Sequence, residues 1–253
     1  MTTRPSHAAL AFALAAFAAA PGAFAQAHPL RLSLDRAFGV GYTSATTSSS
    51  ITVGGATVTR ESTTTGVGLS LLGVGYNSVS PSAVLVAVVP VHQPPRLALD
   101  YELASHLTLG ASAFFSYGQA TDADGDGASA FGFGVAPRVG YSLALGDRLI
   151  LWPRVGVSFS YASASPIRSG TSTVTTSSST SYTSLSLNVE PTAVFMLASQ
   201  FGLTAGVVVD VPLVGSVTTT STVMSGSTRT ETTTDGTLKL LYFGLQFGVM
   251  GRF

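Results

Sequence analysis

Residues Phe131 to Tyr161 read FGFGVAPRVGYSLALGDRLILWPRVGVSFSY, and the alternation in this stretch decides the fold. Successive residues of a β-strand point to opposite faces, so a strand with one greasy side shows a period of two. Phe131, Phe133, Val135, Pro137, Val139, Tyr141 and Leu143 share one face, while Gly132, Gly134, Ala136, Arg138, Gly140 and Ser142 share the other. After Gly146-Asp147, Leu149, Leu151, Pro153, Val155, Val157, Phe159 and Tyr161 stand opposite Arg148, Arg154, Gly156, Ser158 and Ser160. Two such runs joined by a short polar break form a β-hairpin.

The same pattern spreads outward from this hairpin. Leu97, Leu99, Tyr101 and Leu103 alternate with Asp100 and Glu102 before Ala104-Ser105-His106, and Leu107 to Tyr117 continues the period. Leu185, Leu187, Val189, Phe195 and Leu197 connect through Ser199-Gln200 to Phe201, Leu203, Ala205, Val207 and Val209. Further strands are read from Leu30 to Tyr42, from Gly66 to Tyr76 and from Ala83 to Val91. With the C-terminal strand the count is about ten, and without the middle pair about eight, an even number either way. The long polar stretches Ser44 to Ser62, Gln119 to Ser129, Ser163 to Ser181 and Pro212 to Asp235 read as Ser/Thr-rich loops on one side. Short turns on the other side complete the asymmetry of a barrel that spans a membrane.

Composition points the same way. The chain has 253 residues, 45% hydrophobic and only 9% charged, with no cysteine and a formal net charge of +0. So little charge suits an apolar solvent, yet no run of about 18 apolar residues follows the N-terminus, so helical spans are excluded. Balanced charge argues against a nucleic-acid partner, which needs a basic excess. Without cysteine there is neither a disulfide nor an acylated anchor. At the start, Arg4, the apolar Ala8 to Ala20 and Ala23-Phe24-Ala25 form the three parts of a secretory signal. Residues 1–25 are therefore expected to be a signal peptide and residues 26–253 one barrel domain.

The last strand carries Leu241, Phe243, Leu245, Phe247, Val249, Gly251 and Phe253 on one parity, ending on an aromatic residue. With this ending the sequence resembles the small bacterial outer-membrane β-barrels, of OmpA and OmpW type. The resemblance covers nearly all of the chain after residue 25 and rests on pattern rather than on a unique motif. It implies an all-β, closed, antiparallel up-and-down transmembrane barrel in the bacterial outer membrane, bathed in outer-membrane lipid. It also implies an assembly signal at Phe243, Leu245, Phe247, Val249 and Phe253, read by the barrel assembly machinery. Gly251 departs from the larger aromatic often found at that place.

Parity places Arg31, Asp35, Arg96, Asp100, Glu102, Arg138, Arg154, Glu190 and Asp210 on the inner face. Both signs share one lumen, and isolated charges there carry a large desolvation cost, so they are expected to pair in a narrow or plugged core. Arg36 and Lys239 fall on the greasy parity, which requires either a place near an interface or a bulge that shifts the register. Asp122, Asp124 and Asp126 with Gly125 and Gly127 match the opening of a calcium loop, but its twelfth position is Phe133 rather than a bidentate Glu. The bland alternative is an acidic turn.

Imidazoles available for catalysis are His28, His92 and His106, and no nucleophile elbow, dinucleotide fingerprint or phosphate loop is present. The chain is accordingly read as non-enzymatic and without cofactor: an envelope-structural or surface-presenting barrel whose extracellular ligand is not specified. The alternatives are a narrow pore for ions or small solutes, suggested by the inward Gly, Ser and Thr, and a membrane-embedded hydrolase using His92.

Overall fold

A computed structural model describes residues 30–53, 56–72, 74–77, 94–103, 106–121, 127–171 and 174–253. The signal segment, the strand expected at Ala83 to Val91, His28, His92 and the acidic stretch with Asp122, Asp124 and Asp126 lie outside the described residues.

The described chain is antiparallel β-structure: β1 (Leu30–Val53), β2 (Ala56–Leu71), β3 (Val74–Asn77), β4 (Arg96–Glu102), β5 (Leu107–Thr121), β6 (Gly127–Tyr141), β7 (Leu143–Ala144), β8 (Leu149–Thr171), β9 (Val174–Met196), β10 (Phe201–Ser225) and β11 (Thr228–Arg252). Ten of them run in the order β11-β10-β9-β8-β6-β5-β4-β1-β2-β3, and β11 pairs back onto β1. That pairing closes a ring of β1, β4, β5, β6, β8, β9, β10 and β11, with the two-residue β7 beside β8. The ring has the eight strands of the lower count; the sheet reaches ten because the strand read from Gly66 to Tyr76 breaks into the end of β2 and β3, while Ala83 to Val91 lies outside the described residues. Closure removes the exposed edge along the lower wall and gives its backbone groups partners, while among the described residues the β2-β3 arm ends at β3 without a further strand.

The extra strands enter at a single point on β1. Its lower end, Leu30 to Asp35, pairs with Tyr101 to Arg96 of β4. From Phe38 upward its partner on that side is β2, beginning at Leu71. Between the two, the register against β11 slips between Leu34 and Phe38, and Arg36 has φ of 57°. This is a β-bulge in which Asp35, Arg36 and Ala37 of β1 stand against the single Gly248 of β11, two extra residues that bend the strand. It sits where the strand changes partner, and the amide of Leu72 closes the junction by donating to the carbonyl of Ala37 at 2.7 Å.

Faces follow parity. Along β4, Arg96, Ala98, Asp100 and Glu102 are 6% exposed or less, while Leu97, Leu99 and Tyr101 are 41 to 55% exposed. Hydrophobic residues outside and charged ones inside is the inverse of a soluble barrel, and it is stable only where hydrocarbon covers the outer face. On β11 the outward apolar run is Val249 to Leu241, nine residues, which matches the ~9–11 residues of a tilted transmembrane strand. Above it the outward residues turn polar on each neighbouring strand: Leu241 gives way to Lys239, Tyr42 to Ser44, Val214 to Ser216, Leu185 to Thr183 and Tyr161 to Ser163.

The stretches read as loops are largely strand. β1 with β2, β8 with β9 and β10 with β11 continue as paired ribbons up to Val53↔Ala56, Thr171↔Val174 and Ser225↔Thr228. The last of these closes on Gly226-Ser227, with Gly226 at φ 59°, as tight hairpin turns require. Ser/Thr runs carry no hydrophobic period, so they resemble loop; but Thr is β-branched and favours the strand backbone. Hydroxyls also meet across strands, Thr46 with Thr63 at 2.9 Å, Ser50 with Thr59 at 2.9 Å and Thr183 with Ser216 at 2.8 Å.

Candidate functional site

The lumen of the ring holds a layer of buried charge. Arg31, Arg36, Arg96, Arg138 and Arg154 face Asp35, Asp100, Glu102, Glu190 and Asp210, and none is more than 6% exposed. Five positive and five negative groups leave the layer formally neutral. Burial of each ion costs several kcal/mol, and only close, multiply hydrogen-bonded partners offset it.

Arg138 is the hub. Its Nε and Nη2 donate to the two carboxylate oxygens of Asp100 at 2.9 and 2.5 Å, a bidentate fork, and Nη1 donates to Asp35 at 2.6 Å. Nη1 also lies 3.4 Å from Glu190. Arg154 reaches the same two acids from the next strand, Asp35 at 3.1 Å and Glu190 at 2.9 Å, and donates to Thr192 at 3.2 Å. Arg36, turned inward by the bulge, donates to Glu190 at 3.1 Å and lies 3.5 Å from Asp210. Asn188 donates its amide to Asp210 at 2.5 Å. Nearer the lower rim, Arg31 pairs with Glu102 and donates to Ser142 at 2.9 Å, while Arg252 and His106 approach the same carboxylate from the rim at 3.7 and 3.4 Å.

Aromatic rings fill the remaining space. The Trp152 ring lies under the guanidiniums of Arg31 and Arg154, 4.7 and 4.6 Å from its centroid, and its Nε1 donates to Thr108 at 2.9 Å. Arg36 stacks on Tyr242 at 5.7 Å and Arg96 on Phe114 at 5.3 Å. Cations over ring faces gain electrostatic stabilisation that water would otherwise supply. Inward glycines make room for these rings: a Cβ at Gly140 would stand 2.7 Å from Trp152 Nε1 and 2.6 Å from Thr108 Oγ1, and one at Gly134 would strike Phe114. Alternation of small and large inner residues is how a narrow barrel fills its interior.

Two apolar clusters adjoin the charge. Ile150, Trp152, Val194, Met196 and Met250 pack at the lower end, and Ala45, Phe114, Ala162, Tyr182, Val217, Leu238 and Leu240 at the upper. At the lower end charge and apolar surface therefore interleave, Trp152 lying against Arg31 and Arg154, while the upper cluster lies beyond the charge.

Outside, the largest side chains face away from all of this: Phe243 is 51% exposed and Leu245 50%, next to inward Gln246 at 4%. The chain is a small transmembrane β-barrel. Phe243, Leu245, Phe247 and Val249 of the barrel lie on this lipid-facing side of β11, paired with Tyr42, Val40, Phe38 and Leu34, and Phe253 exchanges backbone hydrogen bonds with Leu30.

Solved structures like the barrel are themselves outer-membrane proteins. The outer-membrane protease OmpT from Escherichia coli matches at 8% identity, over 89% of this chain and 97% of that one, with a TM-score of 0.37. The attachment invasion locus protein Ail of Yersinia pestis matches at 13% identity over 90% and 100%, with a TM-score of 0.33. The outer-membrane protein AlkL, solved in lipid bilayers, matches at 12% identity over 93% and 94%, with a TM-score of 0.39. No protein-family model matches the sequence, and no curated protein matches it. The partition of side chains between lumen and lipid, rather than these likenesses, carries the assignment of a membrane-spanning barrel.

Parity along the strands put nine of the ten charged residues on the inner face. Arg36 joins them through a bulge, one of the two alternatives its place on the greasy parity left open, although neither Gly nor Asn marks it. Trp152 and Asn188 share parity with Arg154 and Glu190, so inward orientation was readable for both; their partners were not.

Proposed function

We propose that this chain is a non-enzymatic outer-membrane barrel whose lumen is sealed, serving envelope structure and carrying its Ser/Thr ribbons to the outside. The observation behind this reading is the buried, formally neutral charged layer, packed against Trp152 and the two adjoining apolar clusters. An ion crossing the barrel would have to part Arg138 from Asp100 and Asp35 without water to replace them, at a cost of several kcal/mol. The inward glycines, which by themselves suggest a pore, stand against Trp152 and Phe114 and so leave filled rather than open space. Insertion through recognition of Phe243, Leu245, Phe247, Val249 and Phe253 by the assembly machinery belongs to the same proposal.

Planar-bilayer recording on the refolded chain tests it. No single-channel steps are expected at any voltage the bilayer tolerates. Stable openings would replace the sealed barrel with the narrow-pore reading.

A further inference from the structure

Every arginine of the lumen layer but one has a carboxylate in reach. Arg31 meets Glu102, Arg36 meets Glu190 and Asp210, Arg138 and Arg154 share Asp35 and Glu190, and Arg138 also forks onto Asp100. Arg96, the first residue of β4, is 2% exposed, and its guanidinium makes no ion pair and no hydrogen bond among the described residues. It rests on the Phe114 ring, 5.3 Å from the centroid. Asp210 and Glu190 attract it from beyond ion-pair reach, while Arg36 and Arg138 repel it. The layer is neutral by count, yet its acids crowd onto four cations and leave the fifth unopposed. A ring face offsets only part of what an unpaired buried cation costs.

The unpartnered polar atoms point the same way. Among the described residues, the buried side-chain atoms without a hydrogen-bond partner are in the majority N–H donors: Nε of Arg31, Arg36, Arg96 and Arg154, Nη1 of Arg31 and Nε2 of Gln246. Glycines stand directly across from Gln246 on both neighbouring strands, Gly39 and Gly206, so its amide finds no side chain there. A surplus of buried donors calls for an acceptor that the chain itself does not supply.

We propose that the lumen binds one halide-sized monovalent anion on the guanidinium of Arg96, at the upper end of the ion-paired layer. Charge selects the class of ligand. One unopposed guanidinium calls for one negative charge, and the second charge of a sulfate or phosphate would stand among Asp210, Glu190 and Asp35 with nothing to oppose it. Size narrows it further. Phe114 packs so closely on Gly134 that a Cβ there would stand 2.2 Å from its ring, and such crowding favours a single-atom anion over an organic carboxylate. Hydrogen bonds from a guanidinium to an anion are charge-assisted, so the pair replaces the hydration that burial removes from both.

The site exists in a sealed lumen and in a conducting one alike, so bilayer recording does not bear on it. The test has two readouts on the full chain, refolded in bromide, in chloride or in sulfate. Anomalous diffraction from the bromide crystals is expected to show a peak within hydrogen-bond reach of the Arg96 Nη atoms, lost in Arg96→Met and kept in Arg96→Lys. Urea unfolding at constant ionic strength, with gluconate exchanged for chloride, is expected to show a midpoint that rises with the logarithm of chloride concentration in the parent chain and stays flat in Arg96→Met. Arg96→Met removes a charge that has no partner, so the barrel should fold without it; if it does not, Arg96→Lys against the parent chain reads the same peak. Water alone at Arg96, bromide only at the exposed Arg252 or Lys239 as an adventitious ion, sulfate in place of bromide at Arg96, or equal chloride dependence in Arg96→Met each overturns the proposal.

Discussion

Below the rows of Tyr42 and Leu185 each strand has two unlike faces, one against hydrocarbon and one against a crowded lumen; the inward cluster of Tyr182, Val217, Leu238 and Leu240 lies just above them, and beyond it both faces are largely Ser and Thr. The lower region is held by side chains that have no alternative partner: Arg138 between Asp100 and Asp35, Trp152 under two guanidiniums. The upper region is held by the backbone ladder, with hydroxyl pairs that water can replace at little cost. One chain therefore contains a stretch where single residues decide stability and a stretch where they do not.

The sharpest way to break that contrast is Arg138→Gln. It takes the bidentate partner from Asp100 and leaves Asp35 and Glu190 to Arg154 and Arg36, in a layer with almost no solvent, and breaking a buried pair from one side costs about 3–5 kcal/mol. Urea unfolding of the vesicle-inserted chain should show that loss, or no folded barrel at all. A change below about 1 kcal/mol would mean that water reaches the layer freely, and the two regions would no longer differ in kind.

A smaller effect sharpens the same contrast. Trp152→Phe keeps a ring between Arg31 and Arg154 but removes the donor to Thr108. A loss of about 1–3 kcal/mol is expected, combining an unsatisfied hydroxyl with a weaker cation–ring attraction. The same urea titration reads it. An unchanged midpoint would show that the Trp152 indole serves only to fill volume.

The two regions were also unequally legible in sequence. In the lower one a period of two is visible because the faces differ, and Phe131 to Tyr161 alone suffices to recognise hairpin and barrel wall. Inward parity then follows for Arg138, Arg154 and Glu190 without any structure. Which acid each arginine meets does not follow, because it depends on register between strands far apart in the chain, as with Arg36 and Asp210. The bulge at Arg36 is only half legible for a related reason: a charge on the greasy parity leaves an interface or a bulge open, and the choice answers to the change of partner from β4 to β2, a property of the assembled ring. In the upper region the period vanishes because Thr218, Thr219 and Thr220 are chemically alike on both faces. Strand and loop then look the same, and the ribbons read as loops.

That last point makes the smallest expected effect the most instructive. If backbone preference rather than hydroxyl pairing holds the ribbons, Thr220→Val, which keeps the branched Cβ and discards the 3.3 Å contact with Thr233, should alter stability by less than about 0.5 kcal/mol. Thr220→Gly, which discards the branching as well, should cost up to about 1 kcal/mol and raise local amide exchange in β10 and β11. The order of the two variants carries the argument. Should Val prove as damaging as Gly, the hydroxyl ladder itself would be the stabilising element, and the upper region would depend on specific side-chain pairs much as the lower one does on its ions.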